Sequence, residues 1–313
     1  MGALRITDRS MATTVLAGLQ GNLARLADTQ QQLSSGKLIS RPSDSPTGTV
    51  SAMQFRDEIR RMEQYTRNAG DGIGWLATAD KTLTSALDQV RRVRDLTLQG
   101  MSAGVAGAAN AREALAVEID SLRESLISLA NTTYLDRPVF GGTTAGAAAY
   151  SPSGSYVGDT GVVDRTVGAG ATVRVHTSAT AVFGTDLDPV DPSVPNSTQL
   201  FNVLADIATH LRADPTAAGF DPDALDGDLG NLDTAMNRMI SQLADVGARY
   251  SRINQMREIA DNRIIDLKMQ LSEVEDIDLP KTITDLQLRQ TAYQAALGAA
   301  ARIVQPSLID FLR

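Results

Sequence analysis

An apolar seam with heptad spacing runs along each end of this chain, and a third lies just inside the C-terminal one. Near the N-terminus Ala12, Leu16, Leu19, Leu23, Leu26, Gln30 and Leu33 alternate spacings of four and three residues, with one polar break. Near the C-terminus Ile283, Leu286, Gln290, Tyr293, Leu297, Ala300 and Val304 do the same, again broken by one Gln. The longest seam runs from Met236 to Val274, and Arg257 is its one charged position. This spacing puts apolar side chains on one stripe of an α-helix. A lone helix of that kind is marginal in water, since nucleation is costly and the stripe stays wet. Stripes at opposite ends of one sequence can cover each other. The economical arrangement is an elongated, nested molecule with its N- and C-terminal helices paired in a coiled-coil-like core.

Between the seams the pattern changes. A helical stretch runs from about Val50 to Leu98, with Ile73, Leu76, Ala79, Leu83, Leu87 and Val90 on one stripe, and another runs from about Asn110 to Ala130. Ser40 to Gly48 holds two prolines with Ser and Asp, and reads as an extended loop. From Val139 to Asp188 the composition turns to Gly, Ala, Thr, Ser and Val, and alternation in Ala171 to Thr177 predicts a half-buried strand. A Pro-rich link, Asp188 to Pro195, then leads to Ser197 or Thr198 as the expected N-cap of a helix carrying Phe201, Leu204, Ala208 and Leu211. The fold class is therefore mainly α with a β insertion. The expected domains are 1–42 plus 281–313 (terminal assembly helices), 43–138 plus 229–280 (helical bundle) and 139–228 (β-rich surface domain). On this division, deleting residues 143–228 is expected to leave the flanking helices folded.

Charge and composition narrow the functions. The net charge is −8, and the excess sits in the middle: Leu135 to Ala235 contains 13 Asp and 4 Arg, while the flanks are nearly neutral. Such a surface does not favour nucleic acid or anionic membranes. No run approaches ~18 apolar residues, so no membrane span is expected. The first nine residues lack the apolar stretch of a cleaved secretory signal, which by itself describes a soluble cytosolic chain; export would need an uncleaved signal. The absence of Cys removes disulfides and thiolate chemistry. The two histidines, His176 and His210, lie far apart in sequence without partners for a zinc site or a catalytic triad. Asp221 to Asp228 is the best candidate for a cation site. Its spacing fails the EF-hand, with Leu225 at the third ligand position and no Glu at the twelfth, so a solvated loop ahead of a helix is the favoured reading. Gly141-Gly142-Thr143-Thr144 and Gly168-Ala169-Gly170 match no nucleotide-binding loop. No catalytic, cofactor-binding or metal-binding residue is assigned.

Several short segments add up to a family resemblance. Leu33-Ser34-Ser35-Gly36-Lys37, Pro42-Ser43-Asp44-Ser45-Pro46, Leu129-Ala130-Asn131 with Phe140-Gly141-Gly142, Glu275-Asp276-Ile277-Asp278 and Tyr293-Gln294-Ala295-Ala296-Leu297 through Ser307-Leu308-Ile309-Asp310 occur in order. Together they resemble the flagellin superfamily, and more specifically its hook-associated protein type 3 family. The resemblance covers roughly the first 140 and last 85 residues. Two departures stand out: Ser45 replaces a common second Asp, and Pro280 is expected to kink the C-terminal helix.

The resemblance implies a structural, non-enzymatic subunit joining flagellar hook to filament in a ring of protomers. Its partners would be hook-associated protein type 1 and flagellin, with an export chaperone holding the C-terminal region. It would be exported unfolded by the flagellar type III apparatus and reside in the extracellular flagellum. The candidate assembly interface is Leu16, Leu19, Leu23, Leu26, Leu33, Ile283, Leu286, Tyr293, Leu297, Val304 and Leu308. Flagellin is the alternative within the superfamily. A cytosolic helical adaptor or signalling coiled coil would also show seams, and an enzyme housed in 139–228 is a third reading.

Overall fold

In a computed structural model of the chain, the residues described are 8–102, 109–144, 146, 148–188, 191, 194–213 and 223–304, with side chains described from 13 to 301. The helices are α1 (Asp8–Ser35), α2 (Pro46–Met101), α3 (Ala109–Ala130), α4 (Ala179–Phe183), α5 (Leu200–Arg212), α6 (Ala224–Glu275) and α7 (Leu279–Val304). Two antiparallel hairpins accompany them: β1 (Thr133–Tyr134) with β2 (Arg137–Pro138), and β3 (Asp164–Gly168) with β4 (Ala171–Arg174). The mainly helical fold with a small β insertion is as expected. No described helix is long and apolar enough to cross a membrane.

Local chemistry explains the helix ends. Ser45 caps α2, its hydroxyl accepting from the Gly48 amide at 3.2 Å, and Pro46 fills the first helical position, where a missing N–H costs nothing. Gly36 stops α1 in a left-handed conformation, φ 69°, which a Cβ would disfavour. Pro280 does not kink a continuous helix, contrary to expectation. The long helix ends at Glu275, and Asp278 caps a new one, its carboxylate accepting from the Lys281 amide at 3.1 Å. Pro280 sits in that first turn, where proline is tolerated. The cap of α5 is also displaced. Asn196 engages both the amide and the hydroxyl of Thr198, and the neighbouring Gln199 caps instead, accepting from the Asn202 amide at 2.8 Å.

The chain divides into two units, one of residues 1–61 and 263–313, the other of residues 62–262. The second holds one continuous hydrophobic core. Leu76, Leu83 and Val90 of α2 share it with Ile119 and Leu126 of α3, Phe201 and Leu204 of α5, and Met239 and Val246 of α6. Aromatic residues are scarce in the sequence but gather here. Tyr150 lies 5.0 Å from Phe201 and 5.5 Å from Phe183, and Phe140 meets Phe183 edge-on at 5.5 Å. Each buried ring contributes on the order of 2 kcal/mol through area alone. Arg123 of α3 ties this cluster down by donating to the Phe201 carbonyl at 2.9 Å. Residues between 139 and 211 thus supply side chains to the same core as the flanking helices. This shared core argues against the tolerated deletion of 143–228 expected above, which would leave Ile119 and Leu126 without their cover.

The β1–β2 hairpin turns on Leu135 and Asp136, both at positive φ (49° and 61°), as a two-residue type I′ turn requires. Its Tyr134 ring meets Trp75 edge-on at 5.8 Å, and Gly74 leaves the room for it.

Candidate functional site

The first unit contrasts with the second. Among its described side chains only Ala52, Ile59, Leu267 and Ala300 are buried apolar residues. Within it α1 and α7 pack against each other, antiparallel: Lys37 pairs with Asp276 at one end, and Arg289 donates to the Arg25 carbonyl further along. The heptad seams of the sequence split on this pair. Leu19, Leu26 and Leu33 of α1 and Leu286 and Tyr293 of α7 are half-buried, turned inward. Leu16, Leu23, Ile283 and Leu297 are 57%, 50%, 44% and 44% exposed. Val304 ends α7, with its side chain outside the described residues, and Leu308 lies outside them altogether.

The split has a simple geometric origin. Each seam position seven residues from the last falls on the same side of the helix, so each stripe consists of two parallel rows. One partner helix covers one row. The inner face is completed by residues the seam omitted: Asn22, buried Thr29, whose hydroxyl donates to the Arg25 carbonyl at 2.9 Å, and Arg289 and Ala296 of α7. Their inward turn was hidden because polar and small residues do not register in an apolar pattern. The outer row, Leu16, Leu23, Ile283 and Leu297 with the two seam glutamines Gln30 and Gln290, remains exposed to solvent.

Two of the sequence segments singled out above meet at the base of this pair. The Leu38 amide donates to the Glu275 carbonyl at 2.6 Å, and the Ile277 amide to the Gly36 carbonyl at 3.2 Å. Lys37 Nζ reaches Asp276 Oδ1 at 2.5 Å and Glu275 at 3.5 Å, while Arg56 holds Glu275 at 2.8 Å. The hydrogen bond to Asp276 raises the Lys37 pKa, and the same bond, with the Ser272 hydroxyl, holds the Asp276 carboxyl below its usual range. The following loop is held by Asp44, which accepts from the Ser40 and Arg41 amides, and these bonds lower its pKa. An open groove of about 520 Å³ lies beside it, lined by Leu38, Ile39, Ser51 and Val274 among others.

The remaining candidates resolve into structural contacts. Asp226 and Asp228 are in α6 rather than in a loop, and Asp221 lies outside the described residues. Asp228 is buried against His210, its Oδ2 2.6 Å from Nδ1; burial raises its pKa while the histidine contact opposes the rise. His176 is buried after β4, and its backbone carbonyl accepts from Arg249 at 2.9 Å. Burial, and then the charges of Arg174 and Arg249, lower its pKa, with Asp159 opposing. The folded chain therefore favours neutral His176. That contribution is fully present above the unfolded value of about 6.5 and is lost as pH falls through it toward the folded value. The urea midpoint should drop between pH 7.5 and pH 5.5, and His176→Phe should flatten that drop; an equal slope in the variant would exclude His176 as its source.

Comparison with known proteins gives a consistent result. The bacterial flagellin N-terminal helical region matches residues 6–142, and the bacterial flagellin C-terminal helical region matches residues 229–312. The chain is 23% identical to flagellar hook-associated protein 3 of Escherichia coli strain K12, over 95% of this chain and 96% of that protein. It is 25% identical to flagellin of Bacillus subtilis strain 168, over 96% and 97% of the two chains. Its fold is similar to the crystal structure of the flagellar junction protein FlgL from Legionella pneumophila, with a TM-score of 0.57 at 15% identity, over 72% of this chain and 100% of that one.

Proposed function

This chain belongs to the bacterial flagellin family and is a structural subunit of the flagellum, and we propose that its place is the junction between hook and filament. The observation that carries the assembly mechanism is the outer row, Leu16, Leu23, Ile283 and Leu297, exposed on a helix pair with almost no core of its own. An apolar row of this length stays wet in the isolated chain and becomes dry only against a neighbour. The ordering entropy of such a thin layer is offset when further copies cover it, so folding of the terminal helices and assembly proceed together. In this reading α1 and α7 form the assembly domain, with residues 1–42 and 281–313 as its extent. The candidate interface then divides into an intramolecular row (Leu19, Leu26, Leu33, Leu286, Tyr293) and an intermolecular row (Leu16, Leu23, Ile283, Leu297).

The junction is favoured over the filament by sequence. In the resemblance noted above, Pro42-Ser43-Asp44-Ser45-Pro46 stands where flagellins usually carry a Ser-Ala…Asp-Asp-Ala-Ala-Gly block, and Ser307-Leu308-Ile309-Asp310 resembles the ending of the junction family. The partners in this reading are further copies of the chain, hook-associated protein type 1 toward the hook and flagellin toward the filament. A chaperone would guard the exposed rows before export, which would use no cleaved signal. The role is architectural rather than enzymatic. Shearing flagella from cells and quantifying this chain against the main filament protein tests the placement. Trace recovery with the flagella supports the junction; bulk recovery would make it a filament subunit, and retention in the cell lysate would remove it from the flagellum.

A further inference from the structure

Lys37 and Asp276 face each other as an antiparallel pair whose flanking residues, Leu38 with Glu275 and Gly36 with Ile277, make the main-chain hydrogen bonds. In such a non-hydrogen-bonded pair the side chains stand close together. Around it two cations and two carboxylates interlock: Lys37 with Asp276 and Glu275, and Arg56 with Glu275. Glu275 is 4% exposed, and both cations pair with it, which balances its burial. The chain arrives at this pair from α1 on one side and departs into α7 on the other.

The helix pair beyond has little of its own to fix its register. Its inner rows repeat every seven residues, and Leu19, Leu26 and Leu33 offer near-equivalent knobs to a partner that slips by one heptad. Among the polar members of the contact, buried Thr29 spends its hydroxyl on its own helix, and Asn22 and Arg289 are not fully buried, so they penalise a slip only weakly. A slip of α7 along α1 would move Ile283 and Leu297 by about 10 Å relative to Leu16 and Leu23 at ~1.5 Å per residue, breaking the outer row as one surface. A fixed point at the base prevents this.

We propose that Lys37, Asp276, Glu275 and Arg56 form a clasp that sets the register of α1 against α7, so that the outer row is presented to a neighbouring copy as a single surface. The inference rests on the assembly reading above. Lys37 and Asp276 are positioning residues: they act through the two helices. None of the four belongs to the core of residues 62–262.

The test uses the full chain as Lys37→Asp, as the milder Lys37→Met, and as the charge swap Lys37→Asp with Asp276→Lys. On the purified protein, trypsin cleavage after Arg25 and after Arg289 is followed together with the thermal melt. Lys37→Asp puts three carboxylates together, and both cleavages should speed up about tenfold, the swap returning them to within about threefold of wild type. The main melting transition should stay within about 2 °C of wild type in all three. In cells carrying only the variant, recovery of the chain in sheared flagella should fall in the same order, Lys37→Asp below Lys37→Met below the swap. Unchanged cleavage in Lys37→Asp, a swap as defective as the single change, or a lowered main transition would each overturn the clasp. Changed cleavage rescued by the swap, with wild-type chain missing from the flagella, would uphold the clasp as a register device and overturn the assembly reading instead.

Discussion

Leu23→Asp and Leu297→Asp are expected to abolish stable filament attachment while leaving the purified chain folded. Both side chains lie about half exposed on the outer row, where a polar replacement changes monomer stability by roughly 0.5 kcal/mol or less. The melt should therefore move by no more than about 2 °C. In the assembly proposed above the same positions would be covered by neighbouring copies, and each subunit would bury an unpaired carboxylate at a cost of several kcal/mol. A loss of 3 kcal/mol per contact is already more than about a hundredfold in affinity. Leu26→Asp is the informative contrast. Its side chain is half-buried between α1 and α7, so it should loosen the helix pair in the monomer as well as impair assembly. Motility, filament counts and circular-dichroism melts of the three variants decide the matter. Normal filaments with Leu23→Asp and Leu297→Asp together would exclude the outer row as an interface, and unfolding of the monomer by either would place that row in the chain's own core.

The contrast between the two rows marks how far the sequence could be read. Heptad spacing located all the long helices, because apolar periodicity is imposed by burial itself and survives any detail of packing. It did not reveal that each stripe has a covered and an uncovered row, since Leu23 and Leu26 look alike in a pattern of apolar letters. Buried Thr29 and half-buried Asn22 leave no apolar trace at all. The helix caps were legible only in part. Ser45-Pro46 carries its cap and first turn in adjacent letters, whereas Gln199 caps α5 because Asn196 has already engaged Thr198, a competition visible only in three dimensions. Pro280 shows the same limit: a proline inside a periodic run can kink a helix or begin one, and the Asp278 carboxylate decides for the second. The Lys37–Asp276 contact joins residues 239 apart in sequence, and neither charge pattern nor spacing announces it. The two segments drew notice separately, through family resemblance, and their meeting is a product of the fold.

The middle of the chain carries the largest expected effect on stability. Glycine, alanine and aspartate make residues 139–228 look like a surface appendage, yet Phe140, Tyr150, Phe183 and Phe201 close the core. Deleting residues 143–228 removes Tyr150, Phe183, Phe201, Leu204 and Leu211, all buried, and strips the cover from Leu115, Ile119 and Leu126 of α3. Truncating a single buried Phe costs about 3–5 kcal/mol, and a whole domain is stable by only about 5–15 kcal/mol. Losing five such side chains together exceeds that margin. The deletion protein should show no cooperative melt and a large loss of helical circular dichroism, with α3 cleaved rapidly by protease. Phe201→Ala alone should remain folded, with a melting temperature lower by roughly 10 °C. Recovery of a cooperative, fully helical deletion protein would mean that α2, α3 and α6 bury one another without the middle region, and would return that region to the role of a dispensable surface domain.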